Sequence, residues 1–236
     1  MITVDFERLG LQPGQKVLDI GSGPGRHTCA AVRFPGVTAI GADISYEDIR
    51  EAKKRLQFQE DLNECAGRWG LSTASLLNLP FDDNAFDVLV CAEVLEHIPE
   101  HEKAIRELIR VVKPGGKIAV SVPRYLPEKI CWLLSDDYHQ VNMGHIRIYR
   151  KNELIGLLQQ QGLHYRGSQY AHGLHSPYWW LKCLVGPTRE DHPLVYLYHR
   201  FLVWDLMEKP RFSQMLDTVL NPLIGKSLVI YAQKPC

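Results

Sequence analysis

The segment Val17-Leu18-Asp19-Ile20-Gly21-Ser22-Gly23-Pro24-Gly25 constrains this chain more than any other stretch. Lys16–Ile20 reads as a buried strand that follows the turn Pro13–Gly14. Three glycines at alternate positions then let the backbone turn tightly and come close to a ligand. A short helix reaching Phe34 opens behind them and points its N-terminus at that ligand. The nicotinamide-type spacing G-x-G-x-x-G does not fit, because the third glycine is one position early and Arg26 stands in its place. Pro24 stiffens the turn. Asp19, just ahead of the first glycine, suits a cationic ligand end, an amino group or a sulfonium, better than a pyrophosphate.

Strand and helix patterns alternate through the first half. Val37–Asp43 reads as a second strand, and Ser45 caps the next helix with Asp48 in a capping-box-like position. That helix is expected to run to Trp69, followed by a short strand near Leu71–Ser75. Phe86–Cys91 is a strong strand, His101–Val112 a helix, Pro114–Gly116 a turn and Lys117–Val122 a strand. This alternation implies a parallel sheet with helices on both faces and a ligand at the carboxyl ends of its strands. Asp43 ends the second strand, twenty residues after Gly23. Its carboxylate either receives both hydroxyls of a ribose or serves the helix start at Ser45. Beyond Val122, Glu153–Gln161 reads as a helix stopped by Gly162, and Leu163–Ala171 and Ser227–Gln233 read as strands. Between those strands, helices are expected near Leu194–Met207 and Arg211–Leu220.

Lys plus Arg equals Asp plus Glu, which argues against a dedicated duplex-binding protein. The six cysteines are scattered with no C-x-x-C pair, so metal ligation and disulfides are not expected, and reduced thiols in a cytoplasm are. Met1–Gly10 does not read as a secretory signal, and no run of about 18 apolar residues is present to span a membrane.

Taken together, the motifs resemble a class I S-adenosylmethionine-dependent methyltransferase of the type 11 group. VLDIGSGPG resembles that family's first motif, and the end of Gly41-Ala42-Asp43 its ribose position. Leu79–Ile98 and Val111–Arg124 resemble the following stretches. The resemblance implies a Rossmann-like, doubly wound, seven-stranded α/β sheet, mostly parallel with an antiparallel last strand. It also implies S-adenosylmethionine as cofactor. Gly21, Ser22, Gly23 and Gly25 would hug its methionine and ribose part, and Asp19 would order the loop or meet the amino group. Asp43 would hold the ribose and Ile44 the adenine, and Cys91 and Ala92 would offer backbone contacts. Ser75 stands where the family often has an Asp facing the adenine amino group, so only the backbone of Ser75 and Leu76 is left to flank the base.

Methyl transfer gains most from alignment and water exclusion, and needs a base only when the acceptor must lose a proton. Glu96 and His97 follow the fourth strand, near the expected methyl position. Each either takes part in the reaction or serves the structure, Glu96 as a solvated helix-entry acid and His97 as a loop anchor. His145, within Met143–Tyr149, is the best single candidate for a base. Arg147 pairs with an anionic acceptor group or an internal acid. No metal ligand set is expected.

Ala92-Glu93-Val94-Leu95 replaces the N/D-P-P-Y of amino-methylating DNA enzymes, so DNA is not expected as a partner. Four of five tryptophans and nine of ten tyrosines lie beyond residue 120. Their faces suit a ring, a prenyl tail or a sugar, or else form the small core of a cap or dimer contact. The expectation is therefore one methyltransferase domain over 1–236, with an aromatic-rich helical cap at 172–226. It acts on a hydroxyl or activated carbon of a hydrophobic or ring-containing small molecule, such as a lipid or glycan precursor. The rivals are a protein or RNA methyltransferase and a non-catalytic cofactor-binding partner subunit. Monomer and homodimer stay open, as does peripheral membrane contact through Ile130–Leu134 and Tyr178–Leu181.

Overall fold

The computed structural model describes residues 1–140, 144–189 and 191–236. The chain opens with α1 (Phe6–Leu9), capped by Asp5 and closed by Gly10. Then follow β1 (Lys16–Ile20), α2 (Arg26–Ala31), β2 (Thr38–Asp43), α3 (Tyr46–Asp61), β3 (Arg68–Thr73) and β4 (Phe86–Ala92). A single 3-10 turn, Leu95–His97, leads to α4 (His101–Val111) and β5 (Val112–Pro123). The second half holds α5 (Tyr125–Leu134), α6 (Asp137–Gln140), α7 (Lys151–Gln160) and β6 (His164–Ala171). Three helices, α8 (His175–Val185), α9 (Pro193–Glu208) and α10 (Arg211–Ile224), come before β7 (Ser227–Gln233).

The strands form one seven-stranded sheet in the order β3-β2-β1-β4-β5-β7-β6. The first five strands pair in parallel, and β7 runs antiparallel to both β5 and β6. The chain winds outward from β1 to β3, returns, and winds the other way from β4. The ends of β1 and β4 are therefore the switch point, where such sheets bind ligands. Alternating side chains feed two cores. Leu18, Leu89 and Ile118 pack on one face with α4 and α7, and Val17, Val88 and Ala119 on the other with α1 and α2.

Several expectations are corrected. The third helix stops at Asp61 rather than near Trp69, because Leu62 and Asn63 leave helical geometry and Asn63 has φ 57°. Trp69 belongs to β3, which ends at Thr73, so Ser75 lies in the following turn. β5 begins at Val112 and carries Pro114–Gly116 as an irregularity opposite Phe86 and Val88. All six cysteines are free thiols, and Cys131 on α5 shares a hydrogen bond with Cys183 on α8. Among the described residues, no helix is long and apolar enough to cross a membrane. Of the segments left open for peripheral membrane contact, Tyr178–Leu181 is half-buried in α8, with Trp180 bonded to the Pro127 carbonyl. Leu133 and Leu134 of the other segment are exposed, and half of the exposed large apolar side chains lie on α9 and α10.

Buried histidines tie the N-terminal segment down. His27 Nε2 accepts the Thr3 N–H at 3.1 Å, and His172 Nε2 meets Thr3 Oγ1 at 3.1 Å. Burial pushes His27 from 6.5 down to about 3, and acts in the same direction on His172 and His175. Each binds a proton less tightly folded than unfolded, so stability is full above 6.5 and is lost as pH falls toward the folded values. His27 alone, 5 % exposed, should cost about 2 kcal/mol at pH 5. Thermal melts should therefore drop sharply between pH 7.5 and 5, and His27→Gln should flatten that drop. Equal melting temperatures at both pH values would show that His27 does not sit neutral as an acceptor.

Candidate active site

The glycine turn closes β1 against β2. Gly21 N–H and Ser22 N–H both reach the Ala42 carbonyl, at 2.8 and 3.1 Å, and Gly25 N–H returns to Ser22 at 2.9 Å. Gly21 has φ 66°, and a Cβ there would lie 2.2 Å from Val94 Cγ2. Only glycine allows both the left-handed turn and the approach of the Val94 loop. Gly23 also has positive φ, at 50°, but a Cβ there would meet nothing within 4 Å. Its backbone faces open space, as a ligand cradle requires.

Asp43 serves the helix start at Ser45 and lines the cleft beside the turn. Oδ2 accepts the Gly23 N–H at 2.7 Å and Oδ1 the Ser45 N–H at 2.9 Å, while Ser45 Oγ caps α3 through the Asp48 N–H. Each carboxylate oxygen retains a second lone pair for a hydroxyl. Asp19 lies behind the turn. Its Oδ2 takes the Thr28 N–H at 2.8 Å and the Thr28 hydroxyl at 2.7 Å, which orders the start of α2. Its Oδ1 is buried with no partner among the described residues. Burial pushes the carboxyl up from 3.8 to about 6, against the Thr28 bonds.

A cleft of about 520 Å³ opens beside the turn, lined by Gly21, Asp43, Ile44, Ser75, Leu76, Leu77, Glu93, Val94 and His97 among others. Ile44 is 72 % exposed at its mouth, where its side chain is open to a flat apolar ligand. Ser75 Oγ is engaged locally, accepting the Leu77 N–H at 3.3 Å, so this turn presents backbone and leucine side chains to the cleft. Cys91 is wholly buried in β4, and Cys91 and Ala92 stand just behind the lining residues Glu93 and Val94. The donor set fits S-adenosylmethionine. Asp43 provides acceptors for a diol, Ile44 and Leu76 an apolar shelf, and Gly23 an open backbone.

His145 stands next to this cleft. The segment that carries it is pinned by Ile146 N–H to the Glu96 carbonyl at 3.0 Å. Arg147 pairs with no internal acid among the described residues and donates to the carbonyls of Leu95, Ile98 and Pro99. His145 Nδ1 is 2.5 Å from Glu128 Oε1, and the His145 and His97 ring centroids are 5.0 Å apart. His97 lines the donor cleft, so the two sites join there. Glu96 is wholly buried rather than solvated. Burial and the Glu93 carboxylate push its carboxyl well above the usual range.

Glu128, on α5, escaped the sequence reading. It also takes the Trp132 Nε1–H at 3.1 Å and has Lys226 Nζ 3.5 Å away. Burial disfavours its charge, but the His145 bond and Lys226 outweigh burial and hold the carboxyl below its usual value. Its signal was available: an acid amid the apolar run Ile130–Leu134 and Leu126–Pro127. Tyr138 and Trp179 extend the site outward, with centroids 6.3 Å from His145 to Tyr138 and 5.8 Å from Tyr138 to Trp179.

Sheet order, glycine turn and acidic strand end together define a class I methyltransferase fold. Residues 18–120 match the family model described as methyltransferase domain. Its homologues are class I S-adenosylmethionine-dependent methyltransferases, and the family implies S-adenosylmethionine as cofactor. A methyltransferase of Streptomyces halstedii is 34% identical over 116 residues, 49% of this chain and 40% of its own length. The cycloartenol-C-24-methyltransferase 1 of Oryza sativa subsp. japonica is 31% identical over 150 residues, 62% of this chain and 39% of its own. The chain thus spans about two fifths of the length of these curated relatives. Among solved structures, a SAM-dependent methyltransferase from Methanosarcina mazei superposes with a TM-score of 0.62 at 17% identity, covering 98% of this chain and 96% of that one. A 4+2 cyclase superposes with a TM-score of 0.64 at 21% identity, covering 97% and 77%. These two likenesses concern the fold alone.

Proposed function

We propose that this protein transfers a methyl group from S-adenosylmethionine to a hydroxyl of a hydrophobic or ring-containing small molecule. The observation that carries the reading is the junction at His97. The donor cleft and the Glu128-held His145 meet there, so a methyl donor and an acceptor can be brought face to face. When bound, S-adenosylmethionine supplies an electrophilic methyl group on a sulfonium. The chain's own residues do the rest. Asp43 holds the ribose, with Ile44 and Leu76 against the adenine. Glu128 fixes the His145 ring through Nδ1 and leaves Nε2 to receive the acceptor's proton. Trp179 and Tyr138 form an aromatic wall for a ring or chain.

Helices α8 to α10, within 172–226, act as a cap over this side. Trp180 and Tyr198 support that role by tying α8 to the Pro127 carbonyl and α9 to the Leu174 carbonyl. A second reading, methylation of an activated carbon, draws on relatives whose names describe C-24 methylation of sterols. A screen of cell extracts with methyl-labelled donor, followed by mass spectrometry, tests the proposal. The expected result is label in a small apolar product. Label confined to protease- or ribonuclease-sensitive material would contradict it.

A further inference from the structure

Glu96 has no role in the proposed methyl transfer. It is wholly buried, and neither Oε1 nor Oε2 has a hydrogen-bond partner among the described residues. A buried carboxyl without a partner stays neutral unless a cation compensates its charge. Here the surroundings are arranged for a cation. Glu96 Oε1 is 3.9 Å from His97 Nε2, so the carboxylate is aimed at that ring. One ligand atom from each of Glu96, His97 and His145 lies within 4.8 Å of the others. Donor atoms bound to one ion at about 2.1 Å sit roughly 3–4 Å apart, so a small adjustment of the side chains closes the site.

The scaffold around the three is built as metal sites are built. A ligating imidazole usually donates its other ring nitrogen to a carboxylate, which fixes the ring and its tautomer. Glu128 does this for His145 at 2.5 Å and leaves Nε2 as the ligating atom. Glu128 is itself held by the Trp132 indole at 3.1 Å. The backbone bond from Ile146 to Glu96 and the Arg147 bonds to Leu95 and Pro99 lock the two ligand-bearing segments together. Glu93 is half-buried on the cleft side of this group, with Oε1 taking the Ser121 hydroxyl at 2.8 Å.

We infer that Glu96, His97 and His145 bind a divalent transition-metal cation beside the donor cleft. Two imidazoles and one carboxylate suit zinc, manganese, iron(II) or cobalt, with coordination positions left for an acceptor oxygen. This revises the expectation that the chain lacks a metal set, and it deepens the proposed function, on which the role of the ion rests. A bound cation makes an acceptor hydroxyl more acidic. The hydroxyl proton then passes to water, the oxygen forms the new bond to the methyl carbon, and the old carbon–sulfur electron pair stays on sulfur. His145 serves in that state as a ligand rather than as the proton acceptor.

The test is direct cation binding by the full chain. Chelator-treated protein is titrated with cobalt(II), zinc and manganese(II), followed by calorimetry, metal analysis after gel filtration, and the visible spectrum of the cobalt form. The expected result is about one ion per chain with cobalt bands of a nitrogen–oxygen site. Glu128→Gln should weaken binding about 10- to 100-fold, and Glu96→Gln should weaken it further. His164→Asn, at the exposed start of β6, should bind as the parent does. If Glu96→Gln does not fold, His97→Asn, with a side chain 37% exposed, carries the same comparison. No stoichiometric ion, or equal affinity in the parent and these ligand variants, overturns the inference. Donor binding is measured on the same chelator-treated sample. Loss of cation binding alone removes the metal site, whereas loss of donor binding removes the methyltransferase reading.

Discussion

Asp43→Ala is expected to weaken S-adenosylmethionine binding by about 100-fold or more, from two charge-assisted hydrogen bonds worth about 1.5–3 kcal/mol each. The proposed function gives the carboxylate two duties. It already clamps the Gly23 and Ser45 N–H groups, at 2.7 and 2.9 Å, and its remaining lone pairs face the cleft. Alanine loses the ribose acceptors and also frees the glycine turn that shapes the cradle. Asp43→Asn keeps one acceptor oxygen but sets an amide NH2 against a backbone donor, so it should fall near alanine. Calorimetry with a parallel thermal melt separates the duties. An unchanged dissociation constant with a lowered melting temperature would assign Asp43 to the turn alone.

His145→Ala is expected to lower turnover by about 100- to 10,000-fold, the range that proton handling by a positioned group commands. Donor affinity should stay near the parent value, because His145 is not among the residues lining the donor cleft. Glu128→Gln should lower turnover as well, since the ring it orients loses a charged partner at 2.5 Å. It should also cost stability, because Lys226, 3.5 Å from Glu128, is left half-buried without its counter-charge. Turnover near the parent level in His145→Ala with the true acceptor would remove His145 from the reaction, whether as base or as ligand.

The geometry of the proposed donor cleft was legible because its residues are sequential and their physics is local. A strand end, positive-φ glycines and an acid at the next strand end leave a fixed signature, and β1, β2 and β4 appear where the apolar runs placed them. The acceptor half was legible only in part. His145, His97 and Glu96 stood out as residue types beside a recognisable strand. Glu128 did not, because its partner lies 17 residues away and the pairing exists only once α5 folds over the sheet. Likewise, Trp69 has the bulk to suit either a helix or a strand, and only pairing of β3 with β2 decides. Arg147 shows the converse case. Its charge suggested a ligand or an acid, but three carbonyls of one loop claim it.

The cleft beside Gly21–Gly25 is the proposed seat of S-adenosylmethionine. Calorimetric titration of the full chain with S-adenosylmethionine and with its demethylated product tests this most directly. About one site per chain with micromolar affinity for both is expected, sharply weakened in Asp43→Ala. A folded parent protein that shows no saturable binding of either compound would contradict it.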